Sequence, residues 1–191
     1  ISPTASTIEL AGIDDYFFRV YPTSASNARS LADYAAAVAN NQRVAILSNF
    51  ANQAFVEPWQ TSFSQYFREL GGEVTTTINF NSNDRQSSLL EFAHEIVATE
   101  PDGILILTNS IDAGLFSQQV KKLKDDIDLY GSDWAFSGEL VQYGGKSVEG
   151  FTFITNVDMN NEVTAFKTFK NDFADRFDKE PNFPAVFSYE A

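Results

Sequence analysis

From Arg43 onward, short continuous apolar runs alternate with stretches whose apolar residues recur at helical spacing. Arg43 to Leu47 is the first run, bounded by Asn40-Asn41 and Ser48-Asn49, and it predicts a buried parallel strand. Phe55, Trp59, Phe63, Tyr66, Phe67 and Leu70 then mark a helix that Gly71-Gly72 stops. Pro58 fits only the first turn, so this helix is expected to start near Val56 or Glu57. Glu73 to Phe80, rich in Thr and Ile, predicts a second strand, and Asn81 to Arg85 a polar turn. Leu89, Leu90, Ala93, Ile96 and Val97 line one face of a helix. Ile104 to Leu107 is a third strand, and Leu115, Phe116, Val120 and Leu123 the next helical stripe. Lys121, Lys122 and Lys124 stand at its C-terminal end, where the helix dipole favours cations. Asp128 to Gly131 and Gly150 to Thr155 predict a fourth and a fifth strand.

This alternation implies right-handed βαβ units and an α/β, Rossmann-like, doubly wound parallel sheet. The flanks differ. Leu31 to Ala39 is an Ala-rich helix, and Val163, Phe166, Phe169, Phe173 and Phe177 form an apolar stripe on a charged one. Pro181 to Pro184 reads as an extended connector, and Ala185 to Ala191 as the start of an apolar segment.

Composition narrows the chemistry. The 191 residues carry 13 Lys plus Arg against 26 Asp plus Glu, a net charge of −13, which argues against nucleic acid and anionic membrane as partners. With 43% apolar residues and 18 Phe, the chain has the material for a core despite that charge. There is no cysteine, which removes disulfides, thiolate catalysis and Cys-ligated zinc, and one histidine, which removes a multi-histidine metal site. No apolar run approaches the roughly 18 residues of a membrane span. The chain opens on Ile1, which suggests a processed or excised start.

Ligands of open parallel sheets sit beyond the carboxyl ends of the strands. Those positions hold Ser48 to Phe55, Thr108-Asn109-Ser110 and Ser132-Asp133-Trp134: hydroxyls, amides, one carboxylate and aromatics. The mixture suits a small polar or zwitterionic ligand, with plain turn chemistry as the alternative for each residue. No nucleophile–base pair is evident, and His94 sits within a helix. Ser48 to Phe55 contains no glycine, which counts against a dinucleotide or phosphate loop. Asp14-Asp15 and Asp125-Asp126 read as solvated turns. Ser2 to Ser6 offers two Ser hydroxyls, a Thr hydroxyl and several backbone N–H groups, a plausible carboxylate nest.

Taken in order, these pieces resemble the type I periplasmic binding proteins, in the leucine/isoleucine/valine-binding branch of ABC-transporter substrate-binding proteins. The resemblance runs through Ile1-Ser2-Pro3-Thr4-Ala5-Ser6, Asp15-Tyr16-Phe17-Phe18-Arg19, Arg43 to Leu47 and Gly71-Gly72-Glu73-Val74. It continues through Asp84, Pro101-Asp102-Gly103, Gly131-Ser132-Asp133, Val148-Glu149-Gly150 and Phe173 to Pro181. It implies a non-enzymatic protein without cofactor or metal, whose two lobes close on an amino acid or related carboxylate and deliver it to an ABC transporter permease. It also implies a periplasmic or extracellular location and allows a lipid anchor on the full-length protein.

By the same resemblance, residues 1–20 and 158–191 are parts of the first lobe, and residues 21–157 are the second lobe with its hinge crossings. The resemblance assigns the ligand carboxylate to Thr4, Ala5 and Ser6, and the ligand ammonium to Asp133. Phe55 stands where the family has an aromatic residue after the first strand. Asn109 and Ser110 match its tyrosine-bearing loop after the third. Three rivals remain at this point: a receptor sensor domain of the same fold, a doubly wound enzyme, and a sugar-responsive repressor core. The enzyme predicts a catalytic constellation that the strand ends lack. The repressor predicts a basic helix-turn-helix, which a chain of charge −13 does not show.

Overall fold

The alternation predicted from the sequence is present in the computed structural model, which describes residues 1–83 and 88–191. Asp84 and Arg85, part of the expected turn and of the resemblance, lie outside the described residues. The chain divides into two compact units, one of Ile1–Thr23 with Thr155–Ala191 and one of Ser24–Ile154.

The larger unit opens with α1 (Ser24–Ala37) and β1 (Arg43–Asn49), followed by α2 (Gln53–Glu69), β2 (Glu73–Phe80) and α3 (Leu89–Val97). It continues through β3 (Gly103–Leu107), α4 (Ser110–Leu123), β4 (Asp128–Ser132), α5 (Gly138–Gly144) and β5 (Thr152–Ile154). All pairings are parallel, in the order β2-β1-β3-β4-β5. Alternate residues of each central strand feed opposite faces. Ala45, Leu47, Ile104, Ile106 and Leu129 pack with Ala93, Ile96, Phe116 and Val120 of α3 and α4. Val44, Ile46, Leu105, Leu107 and Tyr130 pack with Leu31, Val56, Trp59, Phe63 and Phe67 of α1 and α2. Burial on both faces explains why β1 and β3 read as continuous apolar runs.

Several boundaries depart from expectation. The second helix starts at Gln53, not near Val56, because a 3-10 turn over Phe50–Asn52 leads straight into it. Pro58 therefore lies inside α2, where its missing N–H costs the bond to the Ala54 carbonyl. Gly71, at φ +91°, ends the helix as expected. The first helix begins at Ser24, a full turn and more before Leu31, and α5 was not anticipated. Beta strands also shift: β1 runs on through Ser48 and Asn49, and the fifth strand shrinks to Thr152–Ile154.

The amino ends of the strands are fastened by polar contacts. Asp102 accepts from the backbone N–H groups of Gln42 and Arg43, both at 2.8 Å. Tyr130 Oη donates to Asn41 Oδ1 at 2.8 Å, and Asn41 Nδ2 donates to Asp128 Oδ2 at 2.9 Å. Gly103 leaves room for this network, since a Cβ there would lie 2.4 Å from Asn41 Oδ1. Burial first, then the neighbouring Asp128 carboxylate, pushes the Tyr130 phenol well above the ordinary tyrosine range. Above about pH 10 the unfolded chain releases this proton while the folded chain keeps it. The phenol's contribution is thus complete below about pH 10 and is lost as the pH rises further. Tyr130→Phe is expected to cost about 1–2 kcal/mol at pH 7 and to flatten the alkaline loss of stability. Urea unfolding of both proteins at pH 7 and pH 11 measures the two effects.

In the smaller unit, Ser2 N–H donates to the Phe18 carbonyl at 2.8 Å, within a parallel bridge between Ser2 and Arg19. Its helices are α6 (Thr164–Phe177) and α7 (Phe183–Glu190). They meet through Phe169 and Tyr189, whose ring centroids are 4.6 Å apart. The extended connector expected through Pro184 ends sooner. Asn182 Oδ1 caps the helix by accepting from Ala185 N–H at 3.2 Å, and Pro184 occupies the first turn, where a proline needs no N–H.

Candidate functional site

Strand order reverses direction at β1, whose neighbours are β2 on one side and β3 on the other. A crevice beyond the carboxyl ends of β1 and β3 is where an open parallel sheet of this order takes ligands. The register pairs Ser48 with Leu107 and Ile106 with Gly131, so the ends of β1, β3 and β4 stand side by side.

Four of the expected residues gather on this edge. Phe55 lies in the first turns of α2, half-buried, and meets the Trp134 ring edge to face at 5.5 Å between centroids. Asp133 opens a 3-10 turn directly after β4 and is only 3% exposed. Asn109 and Ser110, expected as loop, are the N-cap and first residue of α4. Asn109 Oδ1 accepts from Asp112 N–H at 3.0 Å, and its Nδ2 donates to Asp112 Oδ2 at 2.8 Å. Ser110 Oγ donates to Glu139 Oε2 of α5 at 3.0 Å. Both side chains thus fix the start of α4. The spacing Asn109-x-x-Asp112, a cap followed three residues later by an acid, is the signal that would have placed the helix start here.

Thr4, Ala5 and Ser6 lie in the other unit. Ala5 N–H donates to Ser2 Oγ at 3.2 Å, Thr4 is exposed and Ser6 is buried. Asp15 accepts from Phe17 N–H at 2.7 Å, a turn of the kind expected for Asp14-Asp15. His94 is exposed on α3.

Sequence reasoning placed Asn49 in the segment after the first strand without giving it a role, and missed Asp112. Asn49, 1% exposed, closes β1. Its Oδ1 accepts from Ala51 N–H at 3.0 Å and from Ser82 N–H at 3.3 Å. Its Nδ2 lies 3.4 Å from Thr108 Oγ1 and 3.3 Å from Asp112 Oδ2. Asp112 Oδ2 therefore accepts from Asn49, Thr108 and Asn109 together. That carboxylate sits in the first turn of α4, where the helix dipole also stabilises it. Among the described residues, no group of three or more His, Cys, Asp or Glu is arranged to hold a metal ion, and no helix is long and apolar enough to cross a membrane.

The edge so built offers an aromatic pair, a buried carboxylate and a braced set of amides and hydroxyls, which suits recognition of a small molecule by shape and hydrogen bonds. Known proteins share this fold. A leucine binding protein from Thermotoga maritima is similar at 25% identity and a TM-score of 0.78, over 90% of this chain and 48% of that one. A branched-chain amino acid transporter substrate binding protein from Streptococcus pneumoniae, in complex with isoleucine, superposes at a TM-score of 0.83 and 21% identity, over 99% of this chain and 53% of that one. A solute binding protein from R. palustris, in complex with benzoate, does so at 0.77 and 18%, over 91% and 46%. The chain spans about half the length of these proteins. No curated protein matches it. The fold is that of the type I periplasmic binding proteins, with partial coverage of the lobes. The family described as Periplasmic binding protein matches residues 1–191, and the chain belongs to that family.

Proposed function

We propose that this chain is part of an extracytoplasmic solute-binding protein that captures an amino acid or related small carboxylate and hands it to an ABC transporter permease. The family match along the whole chain carries the reading. In it, the larger unit is most of the second lobe, residues 21–157 with the hinge crossings, and the smaller unit contributes to the first. The observed division after Thr23 and after Ile154 supports that assignment. Hinge closure driven by contacts made only in the closed state is a population shift toward it.

In this reading Asp133 pairs with the ligand ammonium, and Phe55 and Trp134 face the apolar body. Thr4, Ala5 and Ser6 receive the carboxylate, and Asn109 and Ser110 belong to the rim. The isoleucine and benzoate held by two of the similar proteins frame the test. Calorimetric titration of the full-length protein with leucine, isoleucine, valine and benzoate is expected to show saturable binding of at least one. Where an amino acid binds, Asp133→Ala should weaken it at least tenfold, about 1.4 kcal/mol. Benzoate has no ammonium and should change less than about threefold. Absence of binding across the panel overturns the transport reading, and an equal loss for both ligand classes overturns the role of Asp133.

A further inference from the structure

We propose that Asn49, acting with Asp112, is a positioning residue: it locks the segments that carry Phe55 and Asn109 into one ligand-facing edge. The inference rests on the binding reading above and names how that site is held.

Three observations carry it. Asn49 is a fully buried amide at the end of a strand whose preceding positions Val44 to Leu47 are apolar and equally buried. Both its polar atoms are engaged, and their partners come from three separate stretches of chain: Ala51, Ser82, and Thr108 with Asp112. Those stretches leave the ends of β1, β2 and β3, where backbone pairing has stopped. A side chain must therefore do there what the sheet ladder does further back. Ala51 belongs to the 3-10 turn that runs into α2 and sets where Phe55 begins its turn of helix. Asp112 and Asn109 form the start of α4. The amide polarity is also determined: only an acceptor satisfies the two N–H groups, and only a donor satisfies the Asp112 carboxylate.

That polarity makes the pair exchangeable. Asn49→Asp keeps the acceptor for Ala51 and Ser82 but sets a carboxylate against Asp112. Asn49→Asp combined with Asp112→Asn restores a donor–acceptor contact between the two positions, at the expense of the acceptor that Asp112 Oδ2 offers to Asn109 Nδ2. Two readouts decide. In amide hydrogen exchange, Asn49→Asp is expected to speed residues 50–55 and 108–112 by about tenfold or more, with Ile104 to Leu107 unchanged, and the double variant to return residues 50–55 to within about threefold. In calorimetry with isoleucine and benzoate, at a temperature where every variant is folded, affinity for a probe that binds should follow the same order.

Unchanged exchange in Asn49→Asp, a uniform increase that includes β3, or failure of the double variant to recover residues 50–55 overturns the proposal. Where the parent protein binds neither probe, hydrogen exchange decides the positioning role by itself, and only absence of binding across the full panel of four ligands overturns the transport reading. If Asn49→Asp does not fold, Thr108→Val, which removes the bonds to Asn49 and to Asp112 at nearly constant volume, carries the same comparison. Its expected effect is smaller, about threefold, in the same segments.

Discussion

Replacing Trp59 with alanine is expected to destabilise the larger unit by about 3–5 kcal/mol, enough to unfold a marginal domain. Trp59 is 1% exposed and heads the fully buried side chains by volume. It stands on α2 with Val56, Phe63 and Phe67, and these pack against Val44 and Ile46 of β1 and Leu31 of α1. Truncation removes the transfer free energy of the indole and leaves a cavity walled by α1, α2 and the sheet, which cannot collapse without breaking strand pairing. Trp134 is the control. It is half-buried beside Phe55, so the same change there should cost clearly less. Urea unfolding followed by far-ultraviolet circular dichroism compares the two. Equal losses would show that the α1–α2 face of the sheet is not the stabilising core described above.

The second large effect comes from adding atoms. Gly114 of α4 and Gly144 of α5 face each other closely. A Cβ on Gly114 would lie 2.8 Å from the Gly144 nitrogen and 3.0 Å from the Leu140 carbonyl oxygen, and one on Gly144 would lie 3.2 Å from the Gly114 Cα. These neighbours are backbone atoms, so no rotamer change relieves them and the helices must move apart. Such separation would strain the bond from Ser110 to Glu139 and the bond from the Gln118 side chain to the Tyr143 carbonyl. Gly114→Val is therefore expected to cost about 3 kcal/mol, although glycine is itself a poor helix former. The midpoint in urea should fall with the slope unchanged. A neutral or stabilising result would mean that α5 is free to shift away from α4.

The place of the candidate site in the sheet was legible because a general rule points to the carboxyl ends of parallel strands. Phe55, Asn109, Ser110 and Asp133 were named on the sequence and stand on that edge. The roles of the atoms were less accessible. Asn109 is chemically able to meet a ligand and to cap a helix, and the Asp three residues on commits its side chain to the cap. Asn49 stood among the candidate residues after the first strand but its role was hidden, because three of its partners stand 33, 59 and 63 residues away in the chain. No local pattern records a pairing at that distance.

The order of strands and helices followed from periodicity alone, since apolar residues repeat at the spacing of the element that must bury them. So did the parallel character of the sheet, because strands apolar on every side chain need cover on both faces. Boundaries moved where neighbours intervened: α2 starts early because a 3-10 turn feeds it, and α7 starts early because Asn182 caps it. Only the tertiary structure decided that β1 lies between β2 and β3, that Gly114 meets Gly144, and that Asn49 joins three strand ends. The reason is physical. Periodicity states which face of an element is apolar, whereas the neighbour that covers the face is selected by shape and by hydrogen bonds between segments distant in the chain.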